Sequence, residues 1–137
     1  MQGYRFIKDL TSDIMFEAYG KDLKEVFENS ARALFDIICQ RGNIEKKNST
    51  EVIAEGEDVS DLMFNWLQAL IASVDIDCMF YNDFKVKEIS EQRVIADCIG
   101  EEITAEKGET VVKAVTYYNF KFEKTDNGYT TRVVVDI

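Results

Sequence analysis

Hydrophobic and polar residues follow one another in patterns that predict strands at the start of the chain. Residues 4–19 alternate as they do in β-strands, most clearly where Ile14, Phe16 and Ala18 share one face. Gly20 is predicted to end this stretch.

The first helix is predicted from apolar residues that recur every three or four positions after Asp22. Asp22 is suited to cap the helix, and Glu25 follows three residues later, as in a capping box. Gly42 is the predicted C-terminal stop, because glycine commonly follows the last helical turn.

A second helix is predicted after a short strand at residues 51–55. Either Asp58 or Ser60 is placed to cap it, and a wide apolar stripe follows. Trp66 lies within that stripe, so we expect it in the core rather than as a stacking surface for a ligand.

The last part of the chain is predicted to be β structure. Its strands are expected at residues 79–89, 93–99, 111–123 and 129–137. The turn Asp126-Asn127-Gly128 favours a hairpin between the last two strands. Residues 100–110 are polar and unpatterned, which predicts either a mobile loop or part of a site.

This order of elements predicts an α+β fold. We expect a two-layer domain in which two amphipathic helices pack on one face of a mostly antiparallel sheet. A chain of 137 residues without repeats or linker-like stretches fits a single domain over residues 1–137.

The net charge and the absence of histidine exclude or disfavour several classes of function. Without histidine the chain has no Ser-His-Asp or Cys-His catalysis and no His-containing zinc site. A formal charge of −10 disfavours direct binding of nucleic acid, since that affinity comes from Lys and Arg at the phosphates. The same charge suits a hard divalent cation, a basic protein partner, or plain solubility.

The cysteines and the hydropathy predict a cytosolic protein. Cys39, Cys78 and Cys98 are widely spaced and form no CxxC pair, so we expect unpaired, buried thiols in a reducing compartment. The sequence contains no apolar run of signal-peptide or membrane-spanning length.

Two aspartates are candidate metal ligands. Asp13 begins an early strand and Asp136 is the penultimate residue of the last one. If these strands are neighbours, both carboxylates meet at one sheet end beside the backbone oxygens of Ile137. Such an oxygen set fits a hard cation. The alternative is that both aspartates are solvated turn or cap residues.

Other charged residues have a structural and a functional interpretation. Lys113 lies in an apolar-rich strand, where it either pairs with a site carboxylate, acts as a base, or points to solvent from an open sheet face. Asp9 is either a turn-forming residue or a neighbour of the cation. The acidic runs at residues 55–58 and 101–102 are expected to be solvated rims or helix starts.

Five segments together resemble the archease family over essentially the whole chain. They are DLTSDI at 9–14, AYGKDL at 18–23, FNWL at 64–67, VKAVTYY at 112–118 and VVVDI at 133–137. The most specific of them are the VKAVTY segment and the closing VDI.

The resemblance implies a non-catalytic activator of the tRNA-splicing RNA ligase. That ligase joins a 2′,3′-cyclic phosphate or 3′-phosphate end to a 5′-hydroxyl with GTP and manganese, and archeases promote its guanylylation and multiple turnover. The family's divalent-metal ligands fall on Asp13, Asp136 and Ile137. Oxygen ligands favour calcium, manganese or magnesium over zinc or copper, and we expect calcium first. The ligase is the implied partner, without strong direct nucleic-acid binding or a membrane.

The sequence departs from the family where histidines are typical. Leu10 follows the first aspartate of the motif, Tyr118 comes directly after the VKAVTY segment, and Glu106 or a neighbour stands in the preceding loop. This pattern predicts retained cation binding with altered surroundings or partner contacts. Two alternatives remain: a metal-dependent phosphoester hydrolase using the same carboxylates, and a metal-free, chaperone-like interaction module.

Overall fold

The elements are those of a mixed helix and strand structure. In this computed structural model the described residues are 3–9 and 12–137, with only the main chain described at Lys8 and Asp9. The helices and strands are β1 Tyr4–Asp9, β2 Asp13–Gly20, α1 Leu23–Ile38, β3 Asn48–Glu55, α2 Val59–Ile76, β4 Met79–Ile89, β5 Arg93–Glu102, β6 Ala114–Thr125 and β7 Gly128–Asp136.

The strands divide into two antiparallel sheets. One has the order β1-β2-β7-β6 and the other β3-β5-β4. Each helix contacts both: α1 packs on β2 and β4, and α2 on β3 and β6. The predicted α+β class, with two helices packed on antiparallel structure, is confirmed. The prediction of a single sheet was wrong, because the alternation within a strand determines which face is buried but not which strands pair.

Both helices begin with the same reciprocal pair of hydrogen bonds. The Asp22 carboxylate accepts from the Glu25 amide at 2.9 Å, and the Glu25 carboxylate accepts from the Lys21 amide at 3.0 Å. In α2 the Asp58 carboxylate accepts from the Asp61 amide at 2.8 Å, and Asp61 accepts in return from the amide before the cap at 2.9 Å. Asp58 is therefore the cap of α2.

These caps are expected to contribute measurably to stability. Asp22→Ala and Asp58→Ala should each lower the free energy of unfolding by about 1 kcal/mol, because an amide of the first turn loses its acceptor. Urea unfolding checks this. Asp58→Asn is the control, since asparagine caps almost as well as aspartate. Equal stability of the alanine and asparagine variants would contradict the prediction.

Helix α1 ends at Ile38, earlier than predicted, and Gly42 lies in a 3-10 turn at Arg41–Asn43. The predicted stop at Gly42 was wrong because a distant segment receives the end of the helix. The Glu109 amide donates to the Ile38 carbonyl at 2.9 Å, and the Thr110 amide to the Ile37 carbonyl at 3.1 Å. Long-range bonds therefore satisfy carbonyls that a helix end leaves free.

The β6–β7 hairpin forms at the predicted Asp126-Asn127-Gly128 turn. Thr125 pairs with Gly128, and the φ angle of Gly128 is +138°, a region that favours glycine. The turn sets the β6–β7 register from Lys121 to Thr125. The register then shifts between Thr116 and Lys121, so the turn alone does not align Asp136 at the far end of β7.

The core contains the single tryptophan, as predicted. Trp66 is fully buried, and its indole N–H donates to the Phe27 carbonyl at 3.0 Å. This bond joins the two helices where their apolar faces meet. None of the helices in the described part of the chain is long and apolar enough to cross a membrane.

All three cysteines are unpaired, as predicted, but they are not all buried. Cys39 and Cys98 are buried, and burial raises the pKa of the Cys39 thiol to about 12. Cys78 is exposed. Its predicted burial was wrong because it lies in the turn after α2 with a φ of 55°.

Candidate metal centre

The structure places Asp13 and Asp136 directly opposite each other at one end of the first sheet. They are a Cα pair in the β2–β7 register, Asp13 as the first residue of β2 and Asp136 as the last of β7. The Ile137 amide donates to the Ser12 carbonyl at 3.0 Å, which extends the pairing by one residue. The three predicted ligand residues are therefore neighbours in space.

The pairing also fixes how close the two aspartates come. Because Ile137 and Ser12 form the hydrogen-bonded pair, the adjacent Asp13–Asp136 pair is of the non-hydrogen-bonded kind. Side chains of such a pair leave the same sheet face and approach more closely than those of a hydrogen-bonded pair. Both aspartates are half-buried.

This face of the sheet is the one turned away from the main core. Phe16 and Ala18 of β2 are fully buried and alternate with Asp13 and Glu17, so the acidic side chains leave the opposite face. The strand thus presents Phe16 and Ala18 to the core and its carboxylates to the opposite face.

Like charges directly opposite each other on a sheet destabilise it. The ion pairs found among the described side chains include neither Asp13 nor Asp136. Over the described residues, no three or more Asp, Glu or Cys side chains gather into a metal-binding group. A cation here would therefore be held by two carboxylates and backbone oxygens, a set that fits a hard ion with water at its other positions.

Glu17 provides the contrast on the same face. Its carboxylate is paired with Arg5 at 2.9 Å and with Arg132 at 3.1 Å, and it accepts from the Tyr19 hydroxyl at 3.1 Å. Burial alone raises the pKa of Glu17, but the hydrogen bonds from the two arginines and Tyr19 outweigh burial and hold the pKa below its usual value.

This pairing predicts acid-sensitive stability. A lowered folded-state pKa contributes stability that is present above the unfolded pKa of Glu, about 4.3, and is lost as pH falls through the folded value. We therefore expect Glu17→Gln to be less stable than wild type at pH 7 and to lose less stability on acidification. Urea unfolding between neutral and acid pH measures both.

Glu91→Gln is the control for this pH dependence, because Glu91 is exposed in the turn between β4 and β5. Its variant should keep the acid dependence of the wild type. An acid slope that is also unchanged in Glu17→Gln would show that the Arg5–Glu17–Arg132 group contributes nothing to stability.

The backbone of Lys113 lies next to the candidate metal centre. Its amide donates to the Asp136 carbonyl at 2.8 Å, while its side chain is exposed. Of its predicted roles, the placement favours the solvent-facing one. The side chain of Asp9, which the sequence suggested as a neighbour of the cation, lies outside the described residues, and so does Leu10. Ser12, beside Asp13, is exposed.

The polar segment at residues 100–110 is ordered by contacts that its sequence did not indicate. Glu101 is buried, where it accepts from the Glu45 amide at 2.7 Å and pairs with Lys107 at 2.8 Å. These bonds hold the pKa of Glu101 below its usual value, with the Lys107 hydrogen bond as the largest cause. Glu101 is thus not the solvated rim residue expected from the acidic run. The only signal in the sequence for this burial is that the carboxylate stands at the end of an apolar strand.

Three comparisons with known proteins agree. The model of the Archease protein family (MTH1598/TM1083) matches residues 4–137. The chain is 39% identical over 133 residues to protein archease of Methanosarcina acetivorans, covering 93% of this chain and 91% of that one. It is 41% identical over 133 residues to protein archease of Pyrococcus abyssi, covering 93% and 94%.

Two solved structures share the fold. The solution structure of protein 1598 of Methanobacterium thermoautotrophicum matches with a TM-score of 0.84 and 33% identity, covering 100% of both chains. The crystal structure of an archease from Thermotoga maritima, described as a possible chaperone, matches with a TM-score of 0.69 and 22% identity, covering 97% of both. At that identity the second likeness shows the fold alone.

Proposed function

The chain belongs to the archease family, and on that premise we propose that it is a non-catalytic activator of the tRNA-splicing RNA ligase. In this role it promotes guanylylation and multiple turnover of an enzyme that joins 2′,3′-cyclic phosphate or 3′-phosphate RNA ends to 5′-hydroxyl ends. It acts in the cytosol, which suits three unpaired cysteines.

The observation that carries this proposal is the pair of opposed carboxylates, Asp13 and Asp136, at the end of the β2–β7 ladder. Two carboxylates side by side are unfavourable by themselves and favourable around a divalent ion. The proposed ligands are these carboxylates and the backbone of Ile137. Calcium is the first candidate, then manganese and magnesium. When bound, the ion supplies positive charge and coordination positions at the protein surface.

The chain as a whole is acidic. Its formal charge is −10, whereas an enzyme that holds RNA ends presents Lys and Arg to the phosphates. Complementary potentials speed the encounter of such partners and fix their orientation. A domain that binds one state of the ligase better than another shifts the ligase toward that state by its differential affinity.

The test is RNA ligation under multiple-turnover conditions by a cognate ligase, with and without this protein, together with a direct assay of ligase guanylylation. We expect both to rise when the protein is added. Asp13→Ala and Asp136→Ala should remove the gain, whereas Glu91→Gln, an exposed charge change in the β4–β5 turn, should preserve it. No gain from the wild-type protein would reject the function.

The same preparation separates the two other candidates. Metal-dependent hydrolysis of a phosphoester by the isolated protein, lost in Asp13→Ala, would identify a hydrolase. A gain in ligation that survives both alanine variants, with no response of the melting temperature to calcium or manganese, would identify a metal-free interaction module.

A further inference from the structure

A second surface, which we call the apolar groove, lies between the C-terminal half of α2 and residues 103–112. Its volume is 350 Å³. Its apolar lining comes from α1, α2, β4 and the segment after β5: Ile38, Ile71, Val74, Phe80, Ile103 and Val112.

Large apolar side chains remain in water around this groove. Val111 is 81% exposed and Ile103 is 43% exposed, and both line it. Ile76, at the end of α2 beside the lining residue Asp75, is 78% exposed. A cluster of exposed apolar residues around a cavity is typical of an interaction site, because covering apolar surface is favourable.

The charged residues that line the apolar groove are of one sign. Its charged lining residues are Asp75 and Glu109, and none of the described Lys or Arg side chains lines it. In the described part of the chain neither acid takes part in an ion pair. An occupant that fits this surface combines apolar side chains with basic ones beside them.

A short stretch of chain links the apolar groove to the candidate metal centre. Val111 lines the groove, and two residues later the Lys113 amide donates to the Asp136 carbonyl. Two residues of extended chain span about 7 Å at most. A partner segment lying in the groove therefore brings its own protein next to Asp13 and Asp136.

We infer that the apolar groove binds a basic amphipathic segment of a protein partner, with apolar side chains in the groove and Lys or Arg beside Asp75 and Glu109. The identity of that partner as the RNA ligase rests on the proposed function. The groove then supplies affinity and places the candidate metal centre, while Asp13 and Asp136 supply the activation.

The test compares two isoleucines of nearly equal exposure. Ile103→Asp puts a charge into the groove, and Ile53→Asp puts one on β3, where Ile53 is 45% exposed. Binding to labelled ligase is measured by fluorescence anisotropy, and turnover is measured as a function of the added protein. Ile103→Asp and Asp75→Lys should weaken binding by about tenfold and regain full turnover at high concentration. Ile53→Asp should match wild type in both.

The outcomes separate this inference from the function. Equal affinity of the ligase for Ile103→Asp and wild type, with circular dichroism showing both folded, would overturn the groove as the docking site. If wild-type protein binds no ligase, the function is wrong, and the groove is tested with a Leu/Lys amphipathic helical peptide. Binding by wild type but not by Ile103→Asp would uphold the groove. Equal binding of a scrambled peptide of the same composition would overturn it.

Discussion

Asp13→Asn and Asp136→Asn should change the free energy of unfolding in opposite directions with and without a divalent ion. In metal-free buffer each variant should be more stable than wild type by about 0.2–1 kcal/mol, because two opposed like charges become one. With calcium or manganese at about 100 times its dissociation constant, wild type should gain about 2.7 kcal/mol and the variants little or none.

Thermal or urea unfolding in chelator and in calcium, manganese or magnesium measures both changes, and the size of the wild-type response ranks the three ions. Asp126→Asn is the matched control, since it removes the same charge from an exposed turn. A variant that is stabilised without metal but keeps the full response to the ion would place the ion elsewhere. A wild type that no ion stabilises would remove the metal from the proposed function.

For the candidate metal centre, the sequence predicted the residue types and their positions at the ends of strands. Asp13 begins an alternating strand and Asp136 closes one, so both were placed at strand termini from the pattern alone. Their adjacency was only conditional on strand pairing, because residues more than a hundred positions apart share no local signal. The hairpin turn at Asp126-Asn127-Gly128 sets the register of β7 against β6 only as far as Lys121, where the register shifts, and nothing local fixes β7 against β2.

Features that depend on tertiary contacts were not predicted from the sequence. Helix α1 ends before Gly42 because residues 109 and 110 donate to its last carbonyls, and such a partner leaves no trace in the helix sequence. The burial of Glu101 and its ion pair with Lys107 are likewise formed in the folded segment that follows β5. The apolar groove is also a product of tertiary structure. The sequence shows Val111 and Ile103 only as apolar residues, and their exposure beside α2 is visible only in the fold. Long-range backbone contacts thus overrode the local signal at the end of α1.

Gly100→Ala is expected to be strongly destabilising, for a reason that lies in the backbone. Gly100 of β5 pairs with Tyr81 of β4, and a β-carbon at Gly100 would lie 1.8 Å from the Phe80 carbonyl oxygen and 2.8 Å from the Tyr81 α-carbon. Backbone atoms of a central ladder have no rotamer to change, so the two strands must separate locally. We expect a loss of about 3 kcal/mol, at the upper end of overpacking costs, measured by urea unfolding.

Gly42→Ala is the matched control, because a β-carbon there has no atom within 4 Å. It should be neutral or stabilising by up to about 1 kcal/mol, through the reduced freedom of the unfolded chain. The comparison isolates the close approach from the general effect of removing a glycine. Equal effects at both positions would mean that β4 and β5 relax at no cost. If Gly100→Ala also exposes Glu101 and weakens ligase binding at the apolar groove, then this close approach positions the docking surface.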